Sequence, residues 1–317
     1  MVLIPGTQLR VSRVALGTWA MGGWMWGGTD ARESVATIGS ALDRGINLID
    51  TAPVYGFGVS EEIVGKALAD SGLRSRAVIA TKVGLEWRDG KVYRNATRRR
   101  IVQEIDDSLR RLRTDYIDIY QVHWPDPLTP VEETAEAMRA LHEQGKIRAI
   151  GVSNFSVEQM QRFRSVAPLH VLQAPEPEIL RYCRRNDIAT LGYGALCRGL
   201  LSGRMRIDTK FEGDDLRRID PKFQPPRFAQ YLAAVQQLDQ LAREFQRRVI
   251  QLAVRWMLDQ GISVALWGAR RPDQLDETQG VAGWSLDEAT RAKIDRILSG
   301  AVTDPVGPEF MAPLQRS

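Results

Sequence analysis

The chain has 317 residues, 44% hydrophobic and 26% charged, with a net charge of +4, which excludes a disordered or fibrous protein and supplies enough apolar residues for a core that folds without staples. Two cysteines, Cys183 and Cys197, exclude a disulfide framework and make a reducing compartment, the cytoplasm, the expectation. MVLIPGTQLRVSR at the start lacks a signal-peptide pattern, no apolar run nears the ~18–20 residues of a membrane span, and the scattered arginines give no nucleic-acid patch, so neither a membrane nor a nucleic-acid partner is expected.

Residues 2–14 read as a hairpin turning at Gly6-Thr7, placed to plug one end of a barrel. ALGTW (15–19) reads as a strand, and residues 30–45 as a helix closed by Gly45. NLIDTA (47–52) precedes a helix over 60–70, and VIATK (78–82) follows it. Thr97 offers an N-cap for a helix over 98–112, whose Ile101, Ile105, Leu109 and Leu112 recur at helical spacing. The run Arg98-Arg99-Arg100 at its start reads as a solvated face. YIDIYQVH (116–123), a helix over 130–145, IRAIGVSN (147–154), a helix over about 156–166 and VLQA (171–174) continue the alternation. A short helix near 178–186 leads to ATLGYG (189–194), and a long polar connection spans 197–228. Residues 231–261 read as two helices meeting near Arg247–Val249, and SVALWGA (263–269) supplies an eighth strand before helical segments and a Pro/Gly-rich tail. Eight strands alternating with helices and no linker predict one α/β domain over 1–317, a (β/α)8 TIM barrel with an N-terminal β-hairpin and a C-terminal helical extension.

The C-terminal ends of barrel strands point into the loops that build a site. Asp50, Lys82 and His123 fall at such ends, where a charge inside an apolar strand is costly unless paired. Tyr55 follows Asp50 by five residues in PVYGFG, close enough to return over the barrel mouth. A Lys–Asp pair beside that phenol predicts a tyrosine pKa below its usual ~10 and a usable acid, with a neutral histidine to orient a carbonyl. Taken singly the residues say little. A strand-end Asp is as often a helix cap, Lys82 alone can reach solvent, and Tyr55 alone can be packing; the combination carries the reading. His142, on a polar helix face, and His170, in a turn, read as structural.

GINLIDTAPVYG (45–56) followed by EEIVG (61–65), with Lys82 in ATK, His123 in YQVHWPD, GVSNF (151–155) and Gln173 in order on successive strands, resembles the aldo-keto reductase superfamily over about residues 3–298. LGYGALCRGLLSG and GARRPDQLDE look most like its bacterial general-stress-protein type. The resemblance implies an NADP(H)-dependent oxidoreductase that reduces small aldehydes and ketones, with NADPH preferred over NADH. It implies Asp50, Tyr55, Lys82 and His123 as a catalytic tetrad in which Tyr55 is the general acid. Ser153, Asn154 and Gln173 would hold the nicotinamide carboxamide, and Tyr193 would stack on the ring. Gly194, Ala195, Leu196, Arg198 and Gly199 would line the pyrophosphate. Beyond Gly268, Arg270 and Gln274 would reach the adenosine 2′-phosphate, with Glu277 near the adenine; alone, Arg270-Arg271 read as a solvated basic pair. Thr278 stands where the family usually has Asn, so weaker cofactor binding is expected. Gln173 is followed by APEPEILRYCRRN, shorter than the family's usual segment, so that edge is either open or lacks a stretch absent from this sequence.

Met21, Trp24, Trp26, Trp87 and Trp124 are the candidates for a substrate pocket, and an aromatic wall suits apolar or aromatic carbonyls. Three other readings compete. A doubly wound dehydrogenase needs GxGxxG, but the nearest match, GFGVSE (56–61), puts Glu61 at the third glycine. A metal hydrolase lacks a second strand-end histidine, so no metal is expected. A regulatory subunit of the same fold, binding NADP(H) tightly with little turnover, is the alternative function. Physiological substrate, reaction direction and oligomeric state are not legible.

Overall fold

A computed structural model describes residues 1–174 and 177–316. Eight parallel strands close into a barrel: β1 (Val14–Gly17), β2 (Leu48–Asp50), β3 (Val78–Val83), β4 (Ile117–Val122), β5 (Ile147–Ser153), β6 (Val171–Gln173), β7 (Ala189–Gly192) and β8 (Val264–Gly268). They pair in chain order, and β8 returns to β1 with Leu266 opposite Ala15. The surrounding helices are α1 (Ala31–Asp43), α2 (Val59–Ala69), α3 (Arg98–Leu112), α4 (Val131–Glu143), α5 (Val157–Arg164), α6 (Pro177–Arg185), α7 (Arg227–Glu244), α8 (Val249–Asp259) and α9 (Glu288–Ala301). This is the (β/α)8 barrel the alternation predicts. Thr97 caps α3, its side chain accepting from the Arg100 N–H, and α7 gives way to α8 across residues 245–248, as the spacing implies.

Successive side chains on a strand face opposite ways, and this alternation sorts the barrel. Leu48, Ala80, Ile119, Ala149, Val171 and Leu191 pack together inside it, while Ile49, Ile79, Tyr120, Ile150 and Leu172 pack among the helices. The N-terminal hairpin pairs Val2–Leu3 with Arg10–Val11, and its Ile4, Leu9 and Val11 join the interior cluster, closing the end away from the site.

Two additions were not expected. Leu85–Arg88 and Lys91–Arg94 form a second hairpin after β3, turning at Asp89-Gly90, both with positive φ. Leu314–Gln315 from the C-terminal tail pairs with the strand Lys91–Arg94. Arg94 donates to the Pro313 carbonyl at 3.0 Å, and Arg316 reaches the buried carboxylate of Asp126 at 2.7 Å. The expected short segment after Gln173 falls partly on residues 175 and 176, which lie outside the described residues.

Candidate active site

The strand alternation that fills the barrel also sets its top layer. Two residues beyond interior Leu48 comes Asp50, and two beyond Ala80 comes Lys82; Val171 and Leu191 relate in the same way to Gln173 and Tyr193. Registry brings these side chains level, with Asp50 opposite Ala80, Lys82 opposite Gln121, and Gln173 opposite Ser153. Apolar packing thus delivers a ring of polar groups at one end.

Lys82 is fully buried and its ammonium has three acceptors, matching its three donors: Asp50 Oδ2 at 2.8 Å, the Thr51 carbonyl at 2.9 Å and the Tyr55 hydroxyl at 3.3 Å. Burial, the largest single influence, would lower its pKa, but the Asp50 carboxylate and the Tyr55 hydroxyl together outweigh that and hold the ammonium above its ordinary value. The other Asp50 oxygen accepts from Gln173 Nε2 at 2.8 Å, with Gln121 Nε2 at 3.5 Å. Sequence reasoning passed over Gln121, although it lies two residues before His123 on the same inward face.

Tyr55 reaches this cluster from a turn packed against the segment after β1. A Cβ on Gly56, whose φ is +67°, would come within 2.0 Å of the Gly22 carbonyl oxygen, and one on Gly22 within 2.5 Å of the Tyr55 backbone. Both positions therefore require glycine for the turn to sit this close. The phenol ring lies 5.0 Å from Lys82 Nζ, 5.9 Å from the Trp19 ring and 6.0 Å from His123, edge to face with the last. The expectation of a lowered tyrosine pKa is corrected here. Burial pushes the phenol up, and Lys82 pulls it down without overturning the shift. The proton stays on Tyr55 at neutral pH, while the ammonium selectively stabilises the anion left when it departs. Burial and the Lys82 charge push the His123 pKa well below its ordinary value, so the ring is neutral. Its backbone N–H donates to the Val83 carbonyl at 2.8 Å.

Along the ends of β5, β6 and β7, Asn154 is tied on every side. It donates to the His123 carbonyl and to Ser153 Oγ, both at 3.0 Å, and accepts from the Tyr193 hydroxyl at 2.8 Å. Ser153 donates to the Gln173 carbonyl at 2.9 Å. Gly194 and Gly268 close β7 and β8 with open backbone, for a Cβ on either would meet no atom within 4 Å. Amide groups, a tyrosine ring and bare backbone in this order at the ends of β5 to β8 are groups that could hold an extended dinucleotide. Ala195 is buried and Leu196 half-buried, and Arg198 and Gly199 both have positive φ, with Arg198 paired to the buried Asp220.

The segment 23–28 is clasped to the long connection after β7. Asp214 accepts from the Met25 N–H at 2.9 Å and the Gly27 N–H at 3.0 Å, and the Leu216 N–H donates to Met25 O at 2.9 Å. Arg270 Nη1 donates to the carbonyls of Trp26 and Gly28 at 3.0 and 3.2 Å. Three other residues expected at the cofactor make contacts within the chain. Gln274 Oε1 accepts from the Arg270 and Arg271 N–H groups, Glu277 pairs with Arg248 at 2.9 Å, and buried Thr278 bonds the Leu275 carbonyl.

Of the expected pocket residues, Met21 is corrected: it is fully buried in the cluster between barrel and helices. Its glycine-rich neighbourhood looks like loop, but it lies on a short helical turn, Trp19–Gly22, packed inward. Trp24 meets Phe57 at 4.6 Å, and Phe57 meets Trp87 at 5.5 Å, forming an aromatic run beside Tyr55. Trp124 lies next to His123, with the Arg94 guanidinium 5.4 Å from its ring. Trp26 packs edge-on to Trp19 at 5.4 Å, with Arg217 5.5 Å away. Trp19 and Phe57 were missed; Phe57 follows Tyr55 by only two residues in PVYGFG, a usable signal.

Residues 13–299 match the Aldo/keto reductase family. The chain is 57% identical to "Aldo-keto reductase YhdN" of Bacillus subtilis (strain 168) over 323 residues, covering 99% of this chain and 98% of that one. It is 35% identical to the "NADH-specific methylglyoxal reductase" of Escherichia coli (strain K12), covering 89% and 93%. Among solved structures, the glycerol dehydrogenase AKR11B4 from Gluconobacter oxydans superposes with a TM-score of 0.87 at 52% identity, covering 98% of each chain. An aldo/keto reductase from Klebsiella pneumoniae in complex with NADP and acetate gives a TM-score of 0.69 at 28% identity, covering 92% of each.

Proposed function

This chain belongs to the aldo/keto reductase family, and on that footing we propose that it reduces small aldehydes and ketones with NADP(H), Tyr55 being the proton donor. The family assignment makes it an oxidoreductase; the observation that carries the rest is the chain of contacts from Asp50 through Lys82 Nζ to the Tyr55 hydroxyl, at 2.8 and 3.3 Å.

A bound nicotinamide supplies the hydride that goes to the carbonyl carbon. This chain's residues manage the oxygen. Negative charge grows there, and Tyr55 delivers its proton to it. The phenolate so formed sits beside the Lys82 ammonium, which burial and Asp50 hold in place, and an ion in so dry a site stabilises charge far better than water does. Neutral His123, edge-on to Tyr55, donates to the same oxygen and sets its direction. Ser153, Asn154 and Gln173 would hold the carboxamide end of the cofactor, Tyr193 would lie against its ring, and Gly194 through Gly199 would leave room for the pyrophosphate. Arg270 recognises the 2′-phosphate, since a guanidinium donates several hydrogen bonds from one plane. Trp24, Trp87 and Trp124 form the substrate wall, which favours apolar and aromatic carbonyls, and the enzyme acts in the cytoplasm as a single-domain protein.

The test is a panel of carbonyls, including aromatic aldehydes, methylglyoxal and short aldoses, assayed by oxidation of NADPH and of NADH. Steady NADPH oxidation with at least one carbonyl is expected. Tight cofactor retention without turnover on any member would overturn the reading in favour of a redox-sensing subunit of the same fold.

A further inference from the structure

The buried polar groups behind β3 have no part in the chemistry above. Glu104 and Arg100 lie one turn apart on α3, and their ion pair measures 3.0 Å, with the carboxylate only 2% exposed. The same Glu104 oxygen accepts from the Gly84 N–H at 3.2 Å, and Arg100 Nη2 donates to the Leu85 carbonyl at 3.1 Å. Both contacts fall where β3 ends and the hairpin 85–94 begins. The Arg100 guanidinium also stands 5.8 Å from the centre of the Trp87 ring, within the range of cation–π attraction. One guanidinium thus touches the root of the hairpin and the aromatic side chain it carries toward Phe57 and Tyr55.

Burying an ion pair is costly, and apolar residues of similar volume often do as well for stability alone. The other ties on this hairpin act elsewhere: Asn95 Nδ2 donates to Glu86 at 2.8 Å, and the C-terminal strand pairs along Lys91–Arg94. Arg100 links α3 to the Trp87 face.

We propose that Arg100, braced by Glu104, is a positioning residue that sets where Trp87 stands and thereby how well the site accepts aromatic over short aliphatic carbonyls. This rests on the carbonyl-reductase reading above. It assigns a selectivity role to a residue that touches neither substrate nor cofactor. Arg100→Met removes the hydrogen bond and the charge over the ring while keeping the bulk. Arg100→Lys keeps the charge beside Glu104 but not the planar contact.

The experiment compares the wild type with R100K, R100M, W87A and the double variant R100M/W87A. Steady-state constants are measured for an aromatic aldehyde and for a short aliphatic one, and hydrogen exchange is followed over residues 84–94. For R100M, KM for the aromatic aldehyde should rise about fivefold to tenfold, the worth of roughly one such contact. Its kcat and the constants for the aliphatic substrate should stay near wild type, with R100K intermediate. Adding R100M to W87A should change nothing further. Exchange over 84–94 should quicken in R100M without general loosening, and this reads the hairpin even if no carbonyl is turned over. Equal losses on both substrates, additivity in the double variant, or unchanged exchange over 84–94 would each overturn the assignment. Failure of the wild type on every carbonyl would instead strike at the reductase reading.

Discussion

Gln173 and Asp50 are joined across the barrel: β2 and β6 stand on opposite sides, and Gln173 Nε2 donates to Asp50 Oδ1 at 2.8 Å. Asp50 therefore carries Lys82 on one oxygen and the far wall of the barrel on the other. Replacing Gln173 by Leu should cost about 1–3 kcal/mol, since Asp50 Oδ1 keeps only the longer contact to Gln121. Asp50→Asn should cost more, about 3–5 kcal/mol, because it leaves the Lys82 ammonium buried without a counter-ion. Urea denaturation at neutral pH measures both, and a Gln173→Leu protein as stable as wild type would show the cross-barrel bond to be idle.

Glu104 should make stability depend on pH. Burial pushes its carboxyl up to about 7 despite Arg100, with the Glu61 charge from α2 adding to the rise. The groups acting on it are Arg100 on its own helix, the Gly84 N–H at the end of β3 and Glu61 on α2, and Tyr120 on β4 feels its charge in turn. Between the ordinary carboxylate value and about 7 the folded protein holds a proton there that the unfolded chain has lost. Its contribution to stability is thus present at acid pH and falls as pH rises through that window. Glu104→Gln should flatten this slope by up to about 3 kcal/mol, at 1.36 kcal/mol per pKa unit. Denaturation midpoints from pH 5 to 8 test it; parallel profiles for variant and wild type would count against it.

The barrel and the strand-end residues Asp50, Lys82 and His123 were legible because they follow from alternation, while Tyr55, on a turn, was legible only through the resemblance. A strand that is apolar every second residue leaves its last inward position for whatever the chemistry needs, as Asp50 and Lys82 show. The hairpin after β3 was legible too, for Asp89-Gly90 between EWR and KVYR is a strong two-residue turn signal that went unused. The pairing of Leu314–Gln315 with that hairpin was not, since it joins segments about two hundred residues apart with no pattern in either. Met21 illustrates a second limit: whether a residue on a short helical turn faces inward depends on packing that its glycine-rich neighbours do not encode.

Arg270 sits between two roles. Its guanidinium ties the carbonyls of Trp26 and Gly28 and is also the proposed reader of the 2′-phosphate. Arg270→Ala should weaken NADPH about 10–100-fold, the worth of charge-assisted hydrogen bonds, and NADH far less. Fluorescence titration with each nucleotide decides it. Equal losses would assign Arg270 to the loop alone.

Asp214 should govern cofactor exchange, because it clasps the Met25 and Gly27 amides on either side of Trp26, whose carbonyl Arg270 holds. A short segment after Gln173 would by itself make release fast, and the clasp adds a second control on the rate. Asp214→Ala should speed NADPH release several-fold in stopped-flow fluorescence, and an unchanged rate would show that the 23–28 segment does not gate it.

The most direct test of the account is Tyr55→Phe, which removes one hydroxyl from a ring that Trp19, His123 and Lys82 surround. With the best carbonyl of the panel, kcat should fall about 10²–10⁴-fold, the usual worth of a positioned acid, while NADPH affinity stays at the wild-type value. Turnover retained in the Phe variant would contradict the assignment of Tyr55 as the proton donor.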